Sequence, residues 1–304
     1  MGVEYVKVED QADAGQRIDN FLMRRLKGVP RQHVYRILRK GEVRVNGGRV
    51  KPTYRLAHHD EVRIPPIRTR DAMPARVAER TMELVEGSII HEDSDIIVLD
   101  KPTGLAVHGG SSISSGVIEI LRAARGDPKL ELAHRIDRDT SGCLLICKRR
   151  AVLASVHSAF RDRQVHKVYE VFVTGHWSKR LRTVQSKLSR FATSWGERRV
   201  RVDASGQSSR TDFMVLDQAP FATRLEAVLH TGRTHQIRVH CKSSGHPILG
   251  DRKYGPYEST GTRLCLHASR LSIPIGNSVM KFRAPLPADM GELWARLSDG
   301  EQLD

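Results

Sequence analysis

The chain has 304 residues, 39% hydrophobic and 28% charged, which is enough apolar content for a packed core and argues against wholesale disorder. Fifty Lys and Arg against 35 Asp and Glu give a formal net charge of +15, which predicts attraction to polyanions, nucleic acid first and a membrane surface second. No apolar run approaches the roughly eighteen residues of a membrane helix, the first residues lack a signal-peptide core, and no basic helix with a broad aromatic face stands out, so a cytoplasmic, nucleic-acid-directed protein without a membrane partner is expected.

The positive charge is uneven. Between Gly15 and Arg70, fifteen Lys and Arg stand against four acidic residues, a net of +11. Ile18, Phe21, Leu22 and Leu26 fall at helical spacing on one face. After Gly28-Val29-Pro30 a second helix is predicted, with Val34, Ile37 and Leu38 inward and Arg31, Arg36, Arg39 and Lys40 mostly outward. Val43-Arg44-Val45 then meets Asn46-Gly47-Gly48, a tight-turn signal, and returns through Arg49-Val50-Lys51 as a hairpin. On a single helix this charge would read as a solvated face. Recurring on two helices and a hairpin with few acidic partners, it reads as a phosphate-contacting surface, with Arg31, Arg36, Arg39, Lys40, Arg44 and Lys51 as candidates. The stretch RIDNFL…GVPRQHVYRILRKGEVRVNGGRVKPTYRLAHHDEVRI, Arg17 to Ile64, resembles the S4 domain, a small RNA-binding module. The resemblance implies structured RNA as ligand, gripped through the second helix and the hairpin.

Pro65-Pro66 ends this module, taken as residues 1–66, and residues 67–82 read as an Arg-rich linker. From Glu83 the chain becomes strand-rich. Ile89-Ile90-His91 and Ile96-Ile97-Val98-Leu99 flank a turn at Glu92-Asp93-Ser94-Asp95. A Gly/Ser loop follows from Lys101 to Gly116, without the Gly-Lys-Ser/Thr ending of a nucleotide-binding loop. An apolar segment breaks at His134-Arg135-Ile136-Asp137-Arg138-Asp139-Thr140-Ser141-Gly142 and resumes as Cys143-Leu144-Leu145-Ile146-Cys147, a strand. Cys143 and Cys147 would then share a face about 13 Å apart, too far for a disulfide. Cys241 and Cys265 lack the spacing of a zinc site. Val152, Val156 and Phe160 predict a helix, His166 to Gly175 a strand, TDFMVLD and TRLEAVLH two more, THQIRVHCKSSG a helix closed by Gly245, and Met290, Leu293, Trp294 and Leu297 a last helix. Strands and helices mix without regular βαβ alternation, so the class is α+β with a mixed, largely antiparallel sheet over residues 83–304.

Taken alone, Asp137 beside Arg138 is an ordinary surface pair, and Asp139-Thr140-Ser141-Gly142 an ordinary turn. Downstream, however, HTGRTHQIRVH, GHPILGDRKYG and RLCLHASRL concentrate polar and basic groups between apolar strands. His230, His235 and His240 recur every five residues, which suits no helical or hairpin metal site and reads as structural or RNA-contacting. With these motifs the segment from Glu83 onward resembles the catalytic domain of the RluA-type pseudouridine synthases. HRIDRDTSG is similar to the family's catalytic loop HRLDxxTSG, Lys167-Val168-Tyr169 to its tyrosine motif, GRTHQIRVH…GHPILGD…YG to its arginine motif, and KPTGLAVH to its upstream signature. With the S4 module in front, and with GERRVRV at 196–202, the pattern points to the RluC type, the branch that modifies large-subunit (23S) ribosomal RNA. Ile136 replaces the usual leucine, and Glu170-Val171 follows the tyrosine where a small residue is usual.

The resemblance implies that a uridine N1–C1′ bond is broken and the base rejoined through C5, a reaction needing neither cofactor nor metal. It makes Asp137 the catalytic carboxylate, as nucleophile or as base, and Asp139 structural. A desolvated carboxylate needs a guanidinium to stay charged. That role falls to Arg238, with Arg233 as the alternative. Tyr169 would stack on the base and offer a hydroxyl. Arg135 would fill the space of the everted nucleotide, Leu266 would wall the pocket, and His134 would line it. The partner is large-subunit rRNA, free or in an assembling particle, and a monomeric chain is expected. Two other readings stand beside this one: a ribonuclease using His134 with His235 or His240, and a non-catalytic rRNA-binding or ribosome-assembly protein working through its S4 module.

Overall fold

In a computed structural model, residues 3–9, 13–26, 29, 31–66, 79–109, 115–193, 197–255, 261–276 and 278–302 are described. The chain divides into two units, residues 1–76 and 77–304. In the first, β1 (Glu4–Lys7), α1 (Ile18–Arg25), α2 (Arg31–Lys40), β2 (Arg44–Val45), β3 (Gly48–Arg49) and β4 (Glu61–Ile64) form a sheet of order β1-β4-β2-β3 with two helices. The positions expected to face inward do so: Ile18, Phe21, Leu22, Val34, Ile37 and Leu38 are buried in one cluster with Val45, Val62 and Ile64. Asn46 and Gly47 take φ of 49° and 77°, the left-handed pair a two-residue hairpin turn demands. Buried Asp60 accepts from Asn46 Nδ2, Tyr54 Oη and Ala57 N at 2.8, 3.0 and 2.8 Å, which ties the hairpin to the last strand.

The second unit opens on α3 (Glu79–Glu86), a helix where residues up to 82 read as linker; residues 67–78 lie outside the described ones. There follow β5 (Ile89–Glu92), β6 (Ile96–Lys101), α4 (Val117–Arg125), β7 (Glu131–Leu132), β8 (Ser141–Cys147), α5 (Arg150–Arg161) and β9 (His166–Thr174). Then come β10 (Thr183–Ala192), β11 (Arg198–Val202), β12 (Gln207–Ala219), β13 (Ala222–Leu229), α6 (Gln236–Ser243), β14 (Leu266–Ile275), β15 (Ser278–Arg283) and α7 (Ala288–Ser298). One sheet of order β11-β10-β12-β13-β9-β14-β8-β6-β5 runs through the unit, with β15 paired to β14 and β7 to β8. Its pairings are antiparallel except β14 with β8. This is the α+β, largely antiparallel architecture expected. No helix among the described residues is long and apolar enough to cross a membrane.

Strand β8 is the centre of one half. Cys143, Leu145 and Cys147 pack with Ile96 and Val98 under Val152, Leu153 and Val156 of α5. Leu144 and Ile146 pack on the other face with Ile97 and Leu99 against Val117, Ile120 and Leu121 of α4. Burial on both faces explains why this strand reads as an unbroken apolar run rather than an alternation. The two cysteines share a face as predicted, and all four cysteines are buried and unpaired. In the other half, Phe172 of β9, Phe213 of β12 and Leu225 of β13 join one core with Ile237 of α6 and Met290, Leu293, Trp294 and Leu297 of α7.

Gly142 marks the meeting of the two halves. It lies opposite Ala268 across the parallel β8–β14 pair, at φ 106°. A Cβ there would sit 2.3 Å from the Ala268 carbonyl oxygen, which is backbone and cannot swing away. Gly142→Ala is therefore expected to destabilise this unit by about 3 kcal/mol or more, combining backbone strain with a forced separation of two strands. Urea denaturation of the variant checks this.

Candidate active site

The loop before β8 is held from beneath. Lys101, at the end of β6, is fully buried, and its Nζ donates to the carbonyls of Pro102, Leu105 and Arg138 at 2.7, 2.9 and 3.0 Å. Burial drives its pKa down to about 7, with the nearby charges of Asp139 and Asp137 opposing that fall. Thr103 Oγ1 donates to the Asp139 carbonyl at 2.7 Å, and Thr140 N–H to the Asp137 carbonyl at 3.2 Å. The Asp139 side chain pairs with Arg138 Nε at 2.9 Å. Asp137 is left half-buried with its carboxylate outward.

Arg238, in the first turn of α6, meets that carboxylate. Its Nη1 lies 3.3 Å from Asp137 Oδ2, while Nε and Nη2 form a fork with Asp251 Oδ2 and Oδ1 at 2.8 and 2.6 Å. The guanidinium also lies over the Tyr254 ring, 5.1 Å from its centroid. Burial works against its charge, but the hydrogen bond and charge of Asp251, then Asp137, outweigh it and raise the pKa further. Asp251 is itself fixed by the N–H groups of Lys253 and Tyr254. His235, at the N-terminus of α6, puts Nε2 3.8 Å from Asp137 Oδ2.

Asp137 opens into a cleft of about 1510 Å³ that also takes in Tyr169, Leu266, Arg135, His134 and Arg233. Among the described residues, thirteen Lys and Arg side chains line it, and Asp137 is the single carboxylate. Tyr169 is buried, its hydroxyl without a described hydrogen-bond partner. Burial, followed by the Asp137 charge, raises its pKa. Glu170, next along β9, points to the opposite face of the sheet and pairs with Arg224, so it does not enter the cleft. Arg135 is exposed at the rim. Arg233 donates from Nε to the Ser208 carbonyl at 3.3 Å and has no pairing with Asp137. His134 is more committed than the sequence suggested. Its Nε2 accepts the Leu145 N–H at 3.1 Å, and burial, with Lys167 nearby, holds its pKa down to about 3. That leaves it a neutral brace for β8, a poor general acid.

The three regularly spaced histidines serve different surroundings. His230 pairs with Asp212 at 2.6 Å, His235 faces Asp137, and His240 is enclosed between the hydroxyls of Ser209 and Thr211 at 2.9 Å each. In the first unit, Arg36, Arg39, Lys40, Arg44 and Lys51 are exposed. Arg44 also donates to the Gly47 carbonyl at 3.2 Å, and Lys40 has Glu42 3.9 Å away. The side chain of Arg31 lies outside the described residues.

Comparison with known proteins bears on what such a cleft does. The RNA pseudouridylate synthase family matches residues 95–243, and the S4 domain matches residues 16–62. Over 299 residues the chain is 45% identical to the ribosomal large subunit pseudouridine synthase C of Pasteurella multocida (strain Pm70), covering 94% of this chain and 92% of that one. The chain belongs to the pseudouridine synthase family. A second such synthase C, from Escherichia coli (strain K12), is 47% identical over 288 residues, 90% of each chain. Among solved structures, human RNA pseudouridylate synthase domain containing 4 aligns with a TM-score of 0.60 and 25% identity over 72% of this chain and 95% of its own. Within this synthase the family match spans Asp137, Tyr169, His235 and Arg238 and stops short of Asp251 and Leu266. Two residues of the site, Lys101 and Asp251, were not singled out from the sequence, and His235 was read there as structural, RNA-contacting or part of a ribonuclease pair rather than as a neighbour of Asp137. Lys101 and Asp251 did carry a signal, each a charged residue in a quoted motif beside apolar positions, where an unpaired charge would not be tolerated.

Proposed function

We propose that this synthase converts specific uridines of large-subunit (23S) ribosomal RNA into pseudouridine, with Asp137 as the essential carboxylate. The observation that carries the reading is a single carboxylate, gripped by a buried Arg238–Asp251 fork, in a cleft whose described lining includes twelve further Lys and Arg side chains. Such a cleft draws in phosphates and keeps one negative group for chemistry. The names of the relatives give the class of RNA.

The uridine N1–C1′ bond breaks, C5 bonds to C1′, the proton on C5 leaves to solvent, and N1 takes up a proton in its place. Asp137 faces the electron-poor ribose, with the Arg238 guanidinium against its Oδ2. Tyr169 offers a flat apolar face to the base, with Leu266 as the wall beside it. Arg135, at the rim, fills the stack that the everted uridine vacates. Arg233 and the rest of the basic lining hold phosphates. The exposed basic residues of the first unit, Arg36, Arg39, Lys40, Arg44 and Lys51, add a second grip on the RNA. We take the enzyme to act in the cytoplasm as a monomer.

The test is tritium release from large-subunit rRNA labelled at uridine C5, free or in assembling particles. Release without shortening of the RNA is the expected result. Shortened RNA would return the ribonuclease reading, and no release from either substrate would favour a binding protein. Deleting residues 1–76 is expected to weaken binding while leaving the single-turnover rate at saturation within about twofold. The slope of log K against log salt should fall by about 0.7–0.9 for each phosphate that the deleted unit had neutralised. An unchanged slope would overturn the assignment of that surface to RNA.

A further inference from the structure

Two groups converge on one oxygen of Asp137. Arg238 Nη1 and His235 Nε2 both approach Oδ2, at 3.3 and 3.8 Å, while Oδ1 receives no hydrogen bond from any described residue. The protonation of His235 follows from its other side. Tyr254 Oη already accepts the Val200 N–H at 2.9 Å, and its own hydrogen has His235 Nδ1, 2.7 Å away, as the described acceptor. With that hydrogen given to Nδ1, the ring proton sits on Nε2, aimed at the carboxylate. Burial lowers the pKa of this histidine against the opposing pull of Asp137, which keeps the ring neutral.

The backbone is bent to make this approach. His235 has φ 53° and ψ 23°, a left-handed conformation rarely taken by residues other than glycine. Gln236 over-determines it: Oε1 accepts Thr231 Oγ1 and Arg233 N–H at 2.7 and 3.0 Å, and Nε2 donates to the Arg210 carbonyl and Thr211 Oγ1 at 2.9 Å each. Strain held in place by surrounding bonds at the mouth of a site is a mark of function.

We propose that His235 is a positioning residue which, with Arg238, fixes Oδ2 of Asp137 and so presents Oδ1 as the oxygen that meets the ribose. The inference rests on Asp137 being the essential carboxylate. At 3.8 Å the approach is longer than a hydrogen bond; it closes when RNA fills the cleft, as such approaches do in substrate complexes.

Single-turnover tritium release at saturating enzyme, with RNA Kd and melting temperature measured alongside, tests this. His235→Phe keeps a ring and loses the donor. It is expected to slow the step roughly 10- to 100-fold, the scale of a misplaced reacting group, with Kd within about twofold. His235→Gln puts an amide N–H where Nε2 was and should recover most of the rate. Tyr254→Phe keeps the ring under Arg238 but removes the hydrogen that sets the tautomer, and should fall between the two. A wild-type rate in His235→Phe, a loss confined to Kd, or a Gln variant no faster than Phe would each overturn the proposal. If His235→Phe melts far below the wild type, Tyr254→Phe decides: an unchanged rate sinks the idea. Asp137→Asn in the same assay separates the two failures. Activity in that variant removes the reading of Asp137, whereas its inactivity beside a fully active His235→Phe removes only this inference.

Discussion

Asp137→Asn is expected to abolish tritium release, by at least roughly 10³-fold or about 4 kcal/mol of activation free energy, while RNA binding and folding stay close to wild type. The substitution keeps the shape of the side chain and removes its charge. Stability should change by no more than about 1 kcal/mol, because asparagine keeps the size of the side chain at a partly exposed position. Arg238 keeps both bonds to Asp251 in the variant, so no buried charge is orphaned. Calorimetry and a filter-binding titration, run beside the release assay, check all three statements. A variant that retained even a tenth of the wild-type rate would remove Asp137 from the chemistry.

Asp251→Ala should be destructive in a different way. Arg238 is 4% exposed and the Asp251 side chain is fully buried, so the pair is screened from water. Removing the carboxylate strands a buried guanidinium, at about 3–5 kcal/mol, and also frees the N–H groups of Lys253 and Tyr254. Activity should fall together with stability, since Arg238 loses the fork that aims it at Asp137. The double variant Arg238→Met, Asp251→Leu separates the two effects. Replacing a buried ion pair by apolar side chains is often near neutral for stability, so this variant should recover most of the urea midpoint and none of the activity. If the single variant loses less than about 1 kcal/mol, the pair is wetter than its burial says.

What was legible in the sequence follows from which residues carry local signals. The Asn46-Gly47 turn, the apolar faces of α1, α2, α5 and α7, and strands β9 and β13 rest on short-range patterns, and each stands where those patterns put it. β10 and β11 escaped notice because they bury almost nothing: of the ten residues of β10 only Leu188 is buried, so there is no apolar alternation to read. β14 was hidden by Pro274 and by buried polar groups such as His267, whose ring needs Ser141 from β8 as partner. α3 begins inside what reads as a linker, its single buried residue, Val85, being too little for a periodic signal. Asp137, Tyr169 and Arg238 were legible as motif positions. Their geometry was not, because Arg238 stands 101 residues from Asp137 along the chain and nothing local says that α6 delivers it. His235 shows the limit most clearly. A histidine at a helix start has many ordinary explanations, and only the fold puts its Nε2 beside a carboxylate.

The parallel pairing of β8 with β14 bears on the order of events during synthesis. Ser141 and His267 touch across 126 residues of chain, and the loop bearing Asp137 is braced by that pairing and by α6. The sheet of the basic first unit, by contrast, is complete once residue 64 has been made. Pairings so distant in sequence form late. On the ribosome, the N-terminal unit can fold and begin to meet RNA while Asp137 is still an unbraced side chain. The means to bind thus precedes the means to react by some two hundred residues of translation, and a chain cut short before β14 would hold RNA without modifying it.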